Sequence, residues 1–106
     1  MLDKLFAICR GFNRRFTDGY NPYQMMTRLL EESGELAKEV SHFEGSGVKI
    51  EKYGLPDKNH LAKEILQTIG CALHAGIYYD IEDELKAEIE SSYQRMLDEG
   101  WIEQST

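Results

Sequence analysis

The stretch "RLLEESGELAKEV", residues 28–40, carries four carboxylates in nine positions: Glu31, Glu32, Glu35 and Glu39. Residues three or four apart share one face of a helix. Glu32 and Glu35 therefore stand together, with Glu31 beside them, and Arg28 and Glu39 extend the row at either end. At about 100° per residue the row runs along the edge of an apolar stripe made by Met26, Leu29, Leu30, Ala37 and Val40. Two chemistries fit such a row. It is a solvated acidic face, which suits Glu as a good helix former, or it is a set of oxygen ligands for a hard cation.

A second segment bears on that choice. "HLAKEILQTIGCALHAGIYY", residues 60–79, has only two formally charged residues, Lys63 and Glu64. A helix so apolar around its circumference is expected to be central. His60, Glu64, Gln67, Cys71 and His74 fall on one of its faces. An ionised carboxylate on a largely buried helix is costly unless paired. Lys63 points about 100° away from Glu64 and is not the partner. A cation shared with Glu32 and Glu35 would meet the need. Oxygen ligands from two helices suit Mg²⁺, or Mn²⁺, better than zinc. Such a site positions a triphosphate and activates a water for in-line attack. His60 and His74 read as hydrogen-bonded packing residues. A zinc site from His60, Cys71 and His74 would span about four turns, too far for one ion. A di-iron bundle calls for Glu-x-x-His, where this chain has Glu64 followed by Gln67.

The elements that must position these residues are helical. Leu2, Leu5, Phe6, Cys9, Phe12 and Phe16 recur at steps of three and four, predicting a helix from Leu2 to Phe16. Thr17 to Pro22 reads as a turn, with Asn21 capping and Pro22 opening the second helix. That helix runs to Glu44 and ends at Gly45–Gly47. Val48 to Asn59 is the one non-helical stretch of any length, either a short extended segment or an ordered loop. Asp57 or Asn59 caps a third helix, His60 to Tyr79. Asp80 caps a fourth, Ile81 to Glu99, whose stripe is Ile81, Leu85, Ile89, Tyr93, Met96 and Leu97. Phe6, Phe12, Phe16 and Phe43 read as core, though one or two suit stacking on a base. Trp101 is placed as a cap on the bundle.

Composition agrees with an all-α chain of one domain, residues 1–106. Hydrophobic residues make up 42% of the 106, enough for one core and too many for a disordered chain. Net charge is −7, which opposes binding to nucleic-acid polymers but not to small phosphorylated ligands carried with a divalent cation. No run reaches the length of a membrane span. Residues 1–12 lack the apolar core of a signal peptide, so a cytoplasmic location is expected. Cys9 and Cys71 match no redox or zinc spacing and read as reduced core residues. One short helix pair cannot cover the third helix on every side. A homodimer, or a dimer of dimers, that completes a larger bundle is expected.

The order "EESGE" (Glu31, Glu32, Glu35), a loop, "EILQ" (Glu64 to Gln67) and then "HAGIYYDIEDELKAEIE" resembles the MazG-like all-α nucleoside triphosphate pyrophosphohydrolases. Their pattern is Glu-Glu-x-x-Glu, a spacer, then Glu-x-x-Asp, followed by a helix near a Gly-Ile-aromatic-acid turn. The resemblance covers residues 22–97. It implies a four-helix fold that assembles as dimers or tetramers. It also implies Mg²⁺-dependent cleavage of an NTP or dNTP to monophosphate and pyrophosphate. Glu32, Glu35, Glu64 and Gln67 would be the metal ligands, with Glu31 and Glu35 catalytic and Arg28 and Lys86 near the substrate. Gln67 stands where the family has Asp. Glu88 and Ser92 stand where it often has a Lys and an Asn that meet the phosphates. The competing reading is a helical module of the same fold that binds a nucleotide or a partner protein without turnover.

Overall fold

The computed structural model describes residues 1–16, 21–45 and 51–103. Four long helices follow one another: α1 (Leu2–Arg15), α2 (Pro22–Phe43), α3 (Lys58–Tyr78) and α4 (Glu82–Asp98). The class is all-α, with no strand among the described residues. The expected turn at Thr17–Tyr20, and the Val48–Ile50 part of the stretch left as extended segment or loop, lie outside the described residues. Residues 51–53 are helical, which corrects the expectation that 48–59 is non-helical throughout. Packing divides the chain into two compact units, residues 1–75 and 76–106, with α3 running through the boundary.

In the first unit, α1 buries Phe6 and Cys9. The Asn21 side chain accepts from the Gln24 amide at 2.9 Å, and the Gln24 side chain accepts from the Asn21 amide at 3.3 Å. This reciprocal box, with Pro22 in the first turn, satisfies donors that an uncapped helix leaves open. The helix ends at Gly45, whose φ of +76° is a conformation that suits glycine. At the start of α3, Asp57 accepts from the Asn59 amide through its side chain and from the Leu61 amide through its carbonyl. Asp57, and not Asn59, therefore does the capping.

Helix α3 is the hub of this unit. It buries Glu64, Cys71, Leu73 and His74. The Cys9 thiol lies 3.5 Å from the Gly70 carbonyl, so α1 crosses α3 at a glycine. The Thr68 hydroxyl reaches two carbonyls, Glu64 at 2.9 Å and Glu32 at 3.4 Å, and the second ties α3 to α2. Phe12 and Phe16 are 38% and 48% exposed, which corrects their placement in the core. They pack on each other with centroids 4.8 Å apart.

In the second unit Asp80 is not a cap. It takes a left-handed φ of +54° in the turn after α3, while Ile81 is the N-terminal flanking residue of α4 and provides no side-chain cap. The Ile81 amide returns to the Gly76 carbonyl at 2.9 Å, closing the end of α3. Asp tolerates this conformation better than most non-glycine residues. Gly100 serves the same purpose at the end of α4, with φ +78° and the Trp101 amide on the Met96 carbonyl. Trp101 is 76% exposed and so covers no core.

Candidate functional site

The residues singled out by spacing lie in the first unit, and Lys86, Glu88 and Ser92, named through the resemblance, lie in the second. Arg28 lies over the Phe12 ring, 4.9 Å from its centroid, a cation–π contact. With Glu32, Gln67, Cys71 and His74 it lines a mostly apolar cleft of about 250 Å³ whose other wall is Leu5, Ile8, Cys9 and Phe12 of α1. Glu35 turns to a different hollow. It lines a groove of about 560 Å³ together with Glu39, Lys38, His42, Asp57 and His60. Lys38 pairs with Glu35 at 3.6 Å, but both side chains are more than half exposed, so the pair contributes little. Glu31 is exposed. Lys86 belongs to α4 in the second unit.

Glu64 is the residue on which the two helices converge. It is 9% exposed. One carboxylate oxygen, Oε1, is 3.2 Å from His60 Nε2. The other, Oε2, is buried and has no hydrogen-bond partner among the described residues. His60 in turn places Nδ1 3.4 Å from Glu39 Oε1 of α2. The sequence reading gave His60 no site role and treated Glu39 only as the end of a row. The structure brings both to Glu64. The signal was present in the spacing, since His60 precedes Glu64 by four residues and Glu39 follows Glu35 by four. A single histidine near a helix start is common, so spacing alone does not mark His60 as a site residue.

The row of ligands does not close into one cluster. Among the described residues no group of three or more His, Cys, Asp or Glu is near enough to hold a metal ion. Glu32 and Gln67 share the α1-side cleft, Glu35 and Glu39 share the groove, and Glu64 lies buried on the helix that borders both. On α4, Ser92 donates to Glu88 Oε1 at 3.3 Å, so the two positions that differ from the resembled pattern engage each other.

The cleft is electrostatically biased towards neutral groups. Burial pushes the His74 imidazole below its ordinary range, and the Arg28 guanidinium adds to this. Burial also raises both thiols. For Cys9 the nearby Cys71 raises it further, and for Cys71 the Arg28 charge partly opposes the effect. His74 is therefore neutral at pH 7 and the cysteines are thiols, not nucleophilic thiolates. Compared with known proteins, the chain matches no family model, no curated protein and no solved structure.

Proposed function

We propose that this protein is a Mg²⁺-dependent nucleoside triphosphate pyrophosphohydrolase of the MazG-like all-α kind, acting in cytoplasmic nucleotide-pool control. The observation that carries the reading is Oε2 of Glu64, buried and without a hydrogen-bond partner among the described residues, on a helix whose other formally charged residues are Lys58 and Lys63. An ionised oxygen in that position costs stability unless something outside the chain meets it. The candidate donors are all oxygen, three carboxylates and one amide, which fits a hard divalent ion. Glu64 would hold the ion, with Glu32 and Glu35 of α2 and the Gln67 amide oxygen as the further ligands. When bound, the ion would neutralise polyphosphate charge and favour the hydroxide form of a coordinated water.

The chain's own residues would do the rest. Glu31 and Glu35, the more exposed carboxylates, would take the proton of the attacking water at the α-phosphorus. Arg28, anchored over Phe12, would present N–H groups to phosphate oxygens. Leu30, Val40, Ile65 and Ile69 are exposed by 40–70%, and this apolar surface supports a homodimer or a dimer of dimers that covers it.

One specific pair of observations favours the second reading, a nucleotide- or partner-binding module without turnover. The ligands do not close on one point among the described residues, and Glu88 and Ser92 are bonded to each other. Hydrolysis in ¹⁸O-labelled water separates the two. The proposed reaction puts the label in the nucleoside monophosphate and leaves pyrophosphate unlabelled. Label in orthophosphate, or no product from any common NTP or dNTP, contradicts the hydrolase reading.

A further inference from the structure

We propose that the cleft beside α1 receives the indole of Trp101 from a second copy of this chain. The proposal uses the size, polarity and charge of the two surfaces and does not rest on the hydrolase reading. Trp101 is the only tryptophan in the chain. It stands 76% exposed in the turn that follows α4. Its backbone is nonetheless held. Gly100 takes φ +78°, and the Trp101 and Ile102 amides both donate to the Met96 carbonyl, at 2.8 and 3.2 Å. A large aromatic side chain on a fixed backbone has only two side-chain bonds left to order when it binds, so its burial loses little entropy. Side chains of this kind are the usual anchors of interfaces.

The cleft offers what an indole needs. Its volume is about 250 Å³, just under the range of about 300–1,000 Å³ that suits drug-sized ligands, and so fits one flat side chain. Ile8 and Phe12 of α1 and Leu66 of α3 supply apolar wall, and Arg28, Glu32 and Gln67 supply the polar groups. An indole takes apolar contact on its ring, favours a cation over its face, and carries one N–H that donates and never accepts. Arg28, already over Phe12, is the cation. The Glu32 carboxylate or the Gln67 amide oxygen is the acceptor. A phenylalanine or leucine in the same place would leave both acceptors desolvated with nothing donated to them. The surroundings match in charge. Residues 98–103 carry Asp98, Glu99 and Glu103 and no base, whereas α1 carries Lys4, Arg10, Arg14 and Arg15 against Asp3. The attraction is local, acting within a screening length of about 8 Å at physiological salt, and so it operates between two copies that are each acidic overall. Where a nucleotide also uses Arg28 and Glu32, the docked Trp101 excludes it, and assembly through this cleft opposes substrate binding.

A lone tryptophan makes the test direct, because all indole fluorescence comes from Trp101. Two full-length variants are mixed. Ile8→Glu keeps Trp101 but sets a carboxylate in the cleft wall against the acidic turn, and Ile8 is 55% exposed, so the fold tolerates the change. Trp101→Ala keeps the cleft and emits nothing from an indole. The parent at micromolar concentration should show blue-shifted emission protected from acrylamide. Ile8→Glu alone should show red-shifted emission open to the quencher. Adding Trp101→Ala in excess should shift the Ile8→Glu emission back to the blue and restore protection, since the intact cleft of one copy then takes the indole of the other. Circular dichroism establishes that each variant is folded; if Ile8→Glu is not, Phe12→Glu, at a position 38% exposed, replaces it. Emission that stays red and open in the mixture overturns the proposal. Protection already present in the folded cleft variant alone also overturns it, because Trp101 would then be covered somewhere else. A parent whose Trp101 is open to acrylamide at every concentration overturns it as well, and none of these outcomes bears on hydrolysis.

Discussion

Glu64→Met should make the protein more stable in the absence of divalent ions and deprive it of any stabilisation by them. The substitution keeps side-chain length and replaces a buried carboxylate with an adaptable apolar group. The buried Oε2 has no partner among the described residues, and an unsatisfied buried polar atom costs about 1–3 kcal/mol, with more for a charged one. Against this, the variant loses the contact with His60. That imidazole is 47% exposed, so solvent screens the pair, and its loss costs about 0–1 kcal/mol. The balance is a gain of about 1 kcal/mol. For a domain of this size that corresponds to a rise of about 4–8 °C in melting temperature. The assay is thermal unfolding of parent and variant, each in EDTA and in excess Mg²⁺. The parent should melt higher with Mg²⁺ by ligand linkage, and the variant should not respond. A variant less stable than the parent in EDTA by more than about 1 kcal/mol would refute the reasoning, as would an Mg²⁺ response that survives the substitution. The first result would mean that Glu64 is satisfied within the fold, the second that the ion binds elsewhere.

Three further outcomes follow from the geometry. Burial holds the His74 pKa below its ordinary 6.5, so the unfolded chain takes up the proton first. Stability should be full above pH 6.5 and fall as the pH drops through the lowered folded value, and His74→Leu should flatten that slope in urea titrations at stepped pH; an unchanged slope would remove His74 as the cause. Gln67→Asp adds a charge beside Glu32 in the cleft. If Gln67 is a metal ligand, activity at low Mg²⁺ should rise and the gain should shrink as Mg²⁺ increases, whereas loss of activity at every Mg²⁺ concentration would make Gln67 a substrate contact. Sedimentation at micromolar concentration should show a dimer or a larger even assembly, and a stable folded monomer would contradict the role given to the exposed apolar surface of α2 and α3.

The helices were legible because their signals are local. The apolar period over residues 2–16, the Asn21–Pro22 start and the Gly45 stop all act within a turn or two of chain. The cap at Asp80 was misread for the same reason. Asp is common at helix starts, but here the Ile81 amide is taken by the Gly76 carbonyl, and Asp80 becomes the left-handed residue of the turn. The burial of Glu64 was also legible, since one acid in an apolar run must be either paired or reserved. What spacing could not show is which side of the helix row each acid turns to. Glu32 and Glu35 share a face by count, yet they border different hollows because α1 packs over one flank of α2 and α3 and residues 53–57 border the other. Phe12 and Phe16 were misplaced for a related reason. An amphipathic stripe marks the inward side of a helix, but not how far the neighbouring helices extend to cover it.

Pyrophosphate release across the common NTPs and dNTPs, in parallel for the parent and Glu64→Gln, tests the central claim most directly. The account predicts Mg²⁺-dependent formation of one nucleoside monophosphate per pyrophosphate with at least one of these substrates. It also predicts a fall of at least about 100-fold in Glu64→Gln, about 2.7 kcal/mol of lost transition-state stabilisation. Equal turnover in the two proteins, products other than monophosphate and pyrophosphate, or no Mg²⁺-dependent product from the parent would contradict it.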